Sequence, residues 1–174
     1  MTLSLRSAVE QDLAFCEALN RGNMSDYLVA RRVSWDSDRF LASWSQFENF
    51  VIQLETQDVG LLRLASEQNG LGLRDLQILP THQNNGIGSW AVRKAQELAA
   101  ERGFHRLQLR VYEENPAKRM YSRLGFKTEM TTGGTTHMVY ELPPNNSFKP
   151  KPLRSGKNMA KKRAMFSPPL RVSA

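Results

Sequence analysis

The stretch LQILPTHQNNGIGSWA, residues 76–91, predicts a strand, a turn with two glycines and a helix in that order. Pro80 ends the strand because proline has no N–H group to continue a ladder. The helix is predicted from apolar residues that fall on one face: Ile87, Ala91, Ala95 and Leu98. Such a turn can hold an anion, because glycines allow close approach and the first N–H groups of a helix are unpaired.

Two common phosphate-binding motifs are excluded at this turn. No Gly-Lys-Ser/Thr follows, as a Walker loop requires. Gly86 and Gly88 have no third glycine, and no acidic residue stands at the distance that a dinucleotide-binding fingerprint requires. The spacing alone leaves open whether the turn binds a phosphate or only reverses the chain.

Two motifs carry a resemblance to a known family. Gln83-x-x-Gly86-x-Gly88 is similar to the acyl-CoA-binding motif of the GCN5-related N-acetyltransferase (GNAT) superfamily, Gln/Arg-x-x-Gly-x-Gly/Ala. The stretch RVYEENPAKRMYSRLGF, residues 110–126, resembles the second block of that family, Asn-x-x-Ala-x-x-x-Tyr-x-x-x-Gly-Phe. The resemblance covers roughly residues 4–142 and has both blocks in the family's order.

The resemblance implies an α/β fold with a mixed, mostly antiparallel sheet of six or seven strands, a splayed parallel strand pair and about four flanking helices. The pattern of apolar residues agrees with it. The first helix is expected to end at Gly22, followed by an irregular, aromatic segment over 23–36. The predicted strands are 4–6, 50–55, 59–66, 71–79, 106–112, 126–131 and 137–142, and the predicted helices are 10–21, 37–47, 88–102 and 116–124.

Length and charge divide the chain into a domain, 1–144, and a basic tail, 145–174. The whole chain has 174 residues and a net charge of +7. Eight of its 24 Lys and Arg residues lie in the tail, which has no acid, so residues 1–144 carry 16 cations against 17 anions. The tail is poor in apolar residues and is expected to be disordered. The sharper alternative is a basic arm that contacts nucleic acid or anionic lipid.

The remaining composition points to a cytoplasmic protein. Cys16 is the one cysteine and is expected to be a small buried hydrophobe. No apolar run is long enough to span a membrane, and no His/Cys cluster suggests a metal site. His105 and His137 do not stand in a sequence pattern with other catalytic or metal-binding residues, so both are expected to be structural.

By resemblance, the co-substrate is acetyl-CoA, threaded between strand 76–79 and its parallel neighbour 107–111. Amides near Ile78 and Leu79 would polarise the thioester carbonyl. Asn115 would contact the arm of the co-substrate or cap the following helix, and one role does not exclude the other. The N–H groups expected to bind the pyrophosphate belong to Gln83, Asn84, Asn85, Gly86, Ile87, Gly88 and Ser89.

The catalytic candidates are Tyr121 and Asp75. The family places a tyrosine at the position of Tyr121 as the general acid for the leaving thiolate, although the residue pattern also fits a core aromatic. The general base stays open: Asp75 is the best candidate, but a surface role is the commoner one for a carboxylate, and a base acting through water is an alternative. Some relatives have a glutamate where this chain has Arg110. The other candidates for the base are Glu67, Glu113, Glu114 and His82.

The segment between the first two helices is expected to form the acceptor side. Tyr27 and Trp35 are the candidates there, whereas Trp44 is expected to pack in the core at helical spacing with Phe40 and Phe47.

The sequence thus predicts an N-acetyltransferase that transfers an acetyl group directly to a primary amine in a ternary complex. The acceptor could be a small amine, an amino-acid derivative or a protein amino group, and a homodimer is common in the family. The alternative is a non-catalytic acyl-CoA-binding or regulatory module that uses the tail to contact nucleic acid.

Overall fold

A computed structural model describes residues 1–143 and the two residues 172–173. Eight strands and four helices make up the fold of these residues. Short 3-10 turns over Glu10–Asp12 and Pro80–His82 precede α1 and α3. The strands are β1 Leu3–Ser7, β2 Glu48–Leu54, β3 Gln57–Glu67, β4 Gly70–Ile78, β5 Arg106–Tyr112, β6 Lys127–Thr132, β7 Thr135–Glu141 and β8 Val172–Ser173, and the helices are α1 Leu13–Ala30, α2 Ser37–Trp44, α3 Ile87–Glu101 and α4 Ala117–Arg123.

The sheet has the predicted mixed character. Its order is β1-β2-β3-β4-β5-β7-β6, and each neighbouring pair is antiparallel apart from β4 and β5. The connection between these two parallel strands runs through α3, as expected for a strand–helix–strand unit. The predicted fold class, with seven main strands and four helices, is confirmed.

The parallel pair is splayed. The strands β4 and β5 pair only through Leu71 with Leu107 and Gly72 with Gln108. Beyond these residues β5 stays paired with β7 along its full length, while β4 continues to Ile78 without β5. The short strand β8 runs parallel to β4 in this region, with Val172 opposite Leu76 and Ser173 opposite Gln77.

Apolar side chains pack on both faces of the sheet. The larger core contains Leu76, Ile78, Ala95 of α3 and Tyr121 of α4. The opposite face carries a smaller core around Cys16, which is fully buried as predicted, and burial raises the pKa of its thiol to about 12. The part of β4 beyond the splay is therefore held between α1 on one face and α3 with α4 on the other.

The predicted end of the first helix at Gly22 is wrong, and with it the irregular segment over residues 23–30. Helix α1 continues through Gly22 to Ala30 because Met24 and Leu28 extend its buried face. Gly22 is exposed, and a Cβ placed there would have no atom within 4 Å. The packing of the last two turns outweighs the cost of about 1 kcal/mol for a glycine inside a helix.

The substitution Gly22→Ala is expected to raise the free energy of unfolding by about 0.5–1 kcal/mol, because alanine favours the helix and meets nothing at this site. Urea denaturation followed by circular dichroism measures the change. Gly103→Ala is the matched control: its φ of 75° is left-handed, so alanine there should lower the free energy of unfolding by about 1 kcal/mol. A loss of stability for Gly22→Ala would contradict a continuous helix.

Candidate functional site

The edge of β4 that faces the gap carries backbone groups that neither β3 nor β5 pairs. The N–H of Leu79 donates to the carbonyl of Val59 at 2.8 Å, so this pair is a hydrogen-bonded one. Because hydrogen-bonded pairs alternate along an antiparallel ladder, the N–H and C=O groups of Ile78 and Leu76 point away from β3, into the gap. The prediction that the Leu79 amide polarises a bound carbonyl is therefore wrong, since that amide belongs to the sheet.

Side chains engage the carbonyl of Ile78. It accepts hydrogen bonds from Asn23 Nδ2 at 2.9 Å and from Gln83 Nε2 at 3.1 Å. The N–H of Gln83 bonds to the carbonyl of Pro80 at 3.4 Å. The side chain of Gln83 thus ties the turn to the end of β4. The prediction that the backbone N–H of Gln83 is free to bind the pyrophosphate is wrong, because this N–H is already bonded to Pro80.

The next six N–H groups form a cradle. Among the described residues, the backbone amides of 84–89 have no hydrogen-bond acceptor, and the first amide of α3 that is paired is that of Trp90, bonded to the Gly86 carbonyl at 3.0 Å. Asn84 and Gly86 have left-handed φ angles of 60° and 80°. Alternating left-handed residues turn successive N–H groups toward one point, and the dipole of α3 adds to the positive potential there. The cradle fits a diphosphate.

The terminal strand β8 uses the same edge of β4. Its two residues lie opposite Leu76 and Gln77, on the side of β4 that β5 leaves open. This edge therefore has the geometry to take an extended chain, which is also the shape of a pantetheine arm. The sequence did not predict this strand; the rest of the predicted tail, like residue 144, lies outside the described residues.

Tyr121 lies on α4 within the larger core and is fully buried. Its ring meets Phe126 edge-on at 5.6 Å between centroids. Its hydroxyl is buried without a hydrogen-bond partner among the residues described. Burial, and then the negative charge of Asp75, raise the pKa of Tyr121 well above its usual value, so the phenol is protonated at neutral pH. A protonated hydroxyl that lacks a protein partner can donate to a ligand atom.

Asp75 is not a surface carboxylate. It is 4% exposed, and its oxygens accept hydrogen bonds from Asn20 Nδ2 and from Gln77 Nε2, the latter at 2.9 Å. A guanidinium nitrogen of Arg63 lies 3.9 Å from the carboxylate. The charge of this carboxylate is also the second cause, after burial, of the raised pKa of Tyr121.

A bulge places Asp75 on its face of the sheet. Asp75 pairs with Arg63 whereas Leu73 pairs with Leu64, so Arg74 is an extra residue in β4. The bulge turns Asp75 and Gln77 toward α1 and leaves Leu76 and Ile78 in the larger core.

Asn115 caps α4. Its Oδ1 accepts a hydrogen bond from the Ala117 N–H at 2.9 Å, and the residue is 2% exposed. The cap predicted from the sequence is confirmed, and it fixes the start of the helix that carries Tyr121.

The two predicted acceptor residues lie on the α1 side of the sheet. Tyr27 belongs to α1 rather than to a loop, and its ring packs against Tyr112 at 5.7 Å. Burial, and then Glu114, raise the pKa of Tyr27. Trp35 lies in the loop, as expected, where its Nε1 donates to Glu17 at 3.0 Å and its ring packs on Phe40.

Three candidate functional residues were not predicted from the sequence. Leu76 presents an edge amide to the gap, and Asn20 and Asn23 reach β4 from α1. The signal in the sequence was their spacing, since the two asparagines stand three residues apart on one helical face. Because the helix was predicted to end at Gly22, Asn23 was placed outside it and the spacing was not recognised. Trp44 packs in the smaller core, as predicted.

Fold and site together define an α/β protein with a split parallel strand pair and an amide cradle for a diphosphate at the mouth of the split. Residues 16–126 match the acetyltransferase (GNAT) family, and the chain belongs to that family. It is therefore an acyltransferase whose co-substrate is acetyl-CoA, the acyl donor of the family. A search among curated protein sequences gave no match.

Solved structures share the fold. The PaiA N-acetyltransferase of Thermoplasma acidophilum, in complex with coenzyme A, is 17% identical, with a TM-score of 0.66 over 82% of this chain and 100% of its own. The ribosomal-protein-S18-alanine N-acetyltransferase of Escherichia coli is 18% identical, with a TM-score of 0.65 over 85% of this chain and 100% of its own. An acetyltransferase of Thermus thermophilus is 24% identical, with a TM-score of 0.66 over 82% of this chain and 98% of its own.

The described part of the chain has neither a membrane-spanning helix nor a metal-binding cluster. None of its helices is long and apolar enough to cross a membrane. None of its His, Cys, Asp and Glu side chains form a group of three or more that could hold a metal ion.

Proposed function

We propose that this protein transfers the acetyl group of acetyl-CoA directly to a primary amine within a ternary complex. The observation that carries the proposal is the pair of backbone features along the gap: an edge of β4 that neither β3 nor β5 pairs, and the amide cradle beyond its end. The edge groups are those of Leu76 and Ile78, and the cradle comprises the free amides of 84–89. An acyl-CoA has the matching order of groups, with a thioester, an amide-bearing arm and a diphosphate.

The contacts support a role for each of these two features. The amides of 84–89 bind the diphosphate, and the arm pairs with the edge of β4, as β8 does. An edge N–H of Ile78 or Leu76 donates to the thioester carbonyl and stabilises the negative charge that develops on its oxygen. Asn115 acts through α4, whose start it fixes.

The reaction forms a bond between the amine nitrogen and the acetyl carbon and breaks the bond between that carbon and sulfur. The amine loses a proton and the thiolate gains one. Tyr121 supplies the proton to the thiolate, since its buried hydroxyl is protonated. Asp75, which is hydrogen-bonded to Asn20 and Gln77 and lies near Arg63, takes up the proton of the amine directly or through water. The hydroxyl of Tyr121 has no polar partner among the described residues, whereas the carboxylate of Asp75 accepts two hydrogen bonds. Such a difference in environment suits an acid and a base in one site.

Three further proposals from the sequence accompany this one. They are a cytoplasmic location, a homodimer, and contact of residues 145–174 with nucleic acid as part of the regulatory alternative. Tyr27 and Trp35 stay proposed for the acceptor side, because they lie on the α1 face toward which Asp75 points.

Tyr121→Phe is expected to lower kcat by roughly 100-fold or more, the scale of a lost general acid, while the affinity for coenzyme A stays within about twofold. The free energy of unfolding should not fall, because the hydroxyl has no partner among the described residues to lose. Thiol release with an amine panel measures kcat, and calorimetry measures the affinity.

Tyr140→Phe is the matched control, since the Tyr140 ring also meets Phe126 at 5.6 Å but belongs to β7. Its kcat should equal that of the wild-type protein. Equal turnover for Tyr121→Phe and wild type would remove Tyr121 from the chemistry. Cofactor binding with no thiol release for any amine would support the non-catalytic module instead.

Replacing both Val172 and Ser173 by proline is expected to tighten coenzyme A binding or leave it unchanged. Proline removes the N–H groups that β8 needs, and the arm would then meet no competitor at the edge of β4. Calorimetric titration of the full-length variant with coenzyme A checks this. Weaker binding in the variant would mean that the terminal strand holds the ligand rather than taking its place.

A further inference from the structure

A polar cavity of about 210 Å³ opens beside the point where β4 and β5 separate. Leu73 and Leu109, the first residues after the last paired positions, belong to its wall. The side chains of Gln108 and Arg110 line it, on the face of β5 opposite to Leu107, Leu109 and Val111 of the larger core. The cavity therefore lies on the α1 face, the face toward which Asp75 points, at the closed end of the gap.

The arginines of the cavity wall differ in their ion pairs. Three arginines and two glutamates line it. Arg74 pairs with Glu67 at 2.6 Å, and Arg106 pairs with Glu129 at 2.6 Å and with Glu141, outside the wall, at 3.2 Å. Within residues 1–143, no carboxylate lies in ion-pair range of Arg110. Arg110 is therefore the one guanidinium of the wall without a carboxylate partner among these residues.

The remaining groups in the wall leave Arg110 free to meet a ligand. Gln108 donates to Glu67, whose carboxylate lies over Gly72, where a Cβ would collide with it. His137 faces Arg110 across the β5–β7 ladder. Burial, and then the charge of Arg110, lower the pKa of His137, so this imidazole is neutral at pH 7 and brings no second cation.

We propose that the amine acceptor carries a carboxylate and that Arg110 binds this carboxylate in the cavity. The inference rests on the proposed acetyl transfer and names the class of its acceptor, an amino acid or a molecule of that size. A guanidinium matches a carboxylate with two parallel hydrogen bonds. A dianion such as a phosphate ester fits less well, because one cation is unmatched and Glu67 and Glu129 repel a second negative charge. A volume of about 210 Å³ suits a small acceptor rather than a folded protein surface.

The test compares acceptors that differ only in the carboxylate. Glycine, β-alanine, 4-aminobutanoate and leucine are each paired with the amine in which hydrogen replaces the carboxylate. For the preferred acceptor, kcat/KM should exceed that of its matched amine by roughly 10- to 100-fold, the scale of a charge-assisted hydrogen bond. Arg110→Gln should reduce this ratio to near one, and Arg110→Lys should restore part of it. Arg123→Gln, an exposed arginine on α4, is the control and should leave the ratio unchanged.

The outcomes separate this inference from the proposed function. Acetyl transfer to acids and matched amines at equal rates would overturn the carboxylate site and leave the acetyltransferase proposal standing. Transfer to no amine would overturn the proposed function, and a binding experiment then decides on the site alone. In that experiment 4-aminobutanoate and propylamine are titrated calorimetrically into the protein with coenzyme A. Binding of the acid that falls at least tenfold in Arg110→Gln supports the site, and equal binding of both ligands or to both proteins overturns it.

Discussion

The structure depends on the separation of the parallel strands β4 and β5 after their first paired residues. The strand β5 remains paired with β7 along its full length, whereas it pairs with β4 only as far as Gly72 and Gln108. The second half of β4 keeps one antiparallel partner, β3, and turns its other row of hydrogen-bonding groups into a gap. Unpaired backbone groups in a protein interior are costly, so such an edge needs something to pair with. In this chain β8 takes part of it.

The elements around the gap position the proposed acid, the proposed base and the amide cradle. The bulge at Arg74 turns Asp75 toward α1, where Asn20 holds it. On the opposite face α4, capped by Asn115, brings the buried hydroxyl of Tyr121 near enough for Asp75 to affect its pKa. Beyond the end of β4, Gln83 fixes the turn whose free amides lead into α3. The bulge, the helix cap and the turn each act locally, and all three lie around the gap.

Local pattern was enough to predict the seven main strands, the crossover helix and the glycine turn, because each depends on periodicity or on a residue such as Pro80. The path of α1 through Gly22 was not predictable, since packing of Met24 and Leu28 overrides the local preference. The amide of Leu79 and the burial of Asp75 depend on the register of β3, a bulge, and a residue 55 positions away. The unmatched charge of Arg110 likewise emerges only when distant strands are placed side by side.

Amide hydrogen exchange with and without coenzyme A tests the central claim most directly. Binding of coenzyme A should slow exchange at residues 84–89 by at least about tenfold, because these N–H groups acquire an acceptor. The amide of Leu79, already bonded to Val59, is the internal control and should keep its rate. Coenzyme A binding that leaves residues 84–89 unchanged would contradict the account.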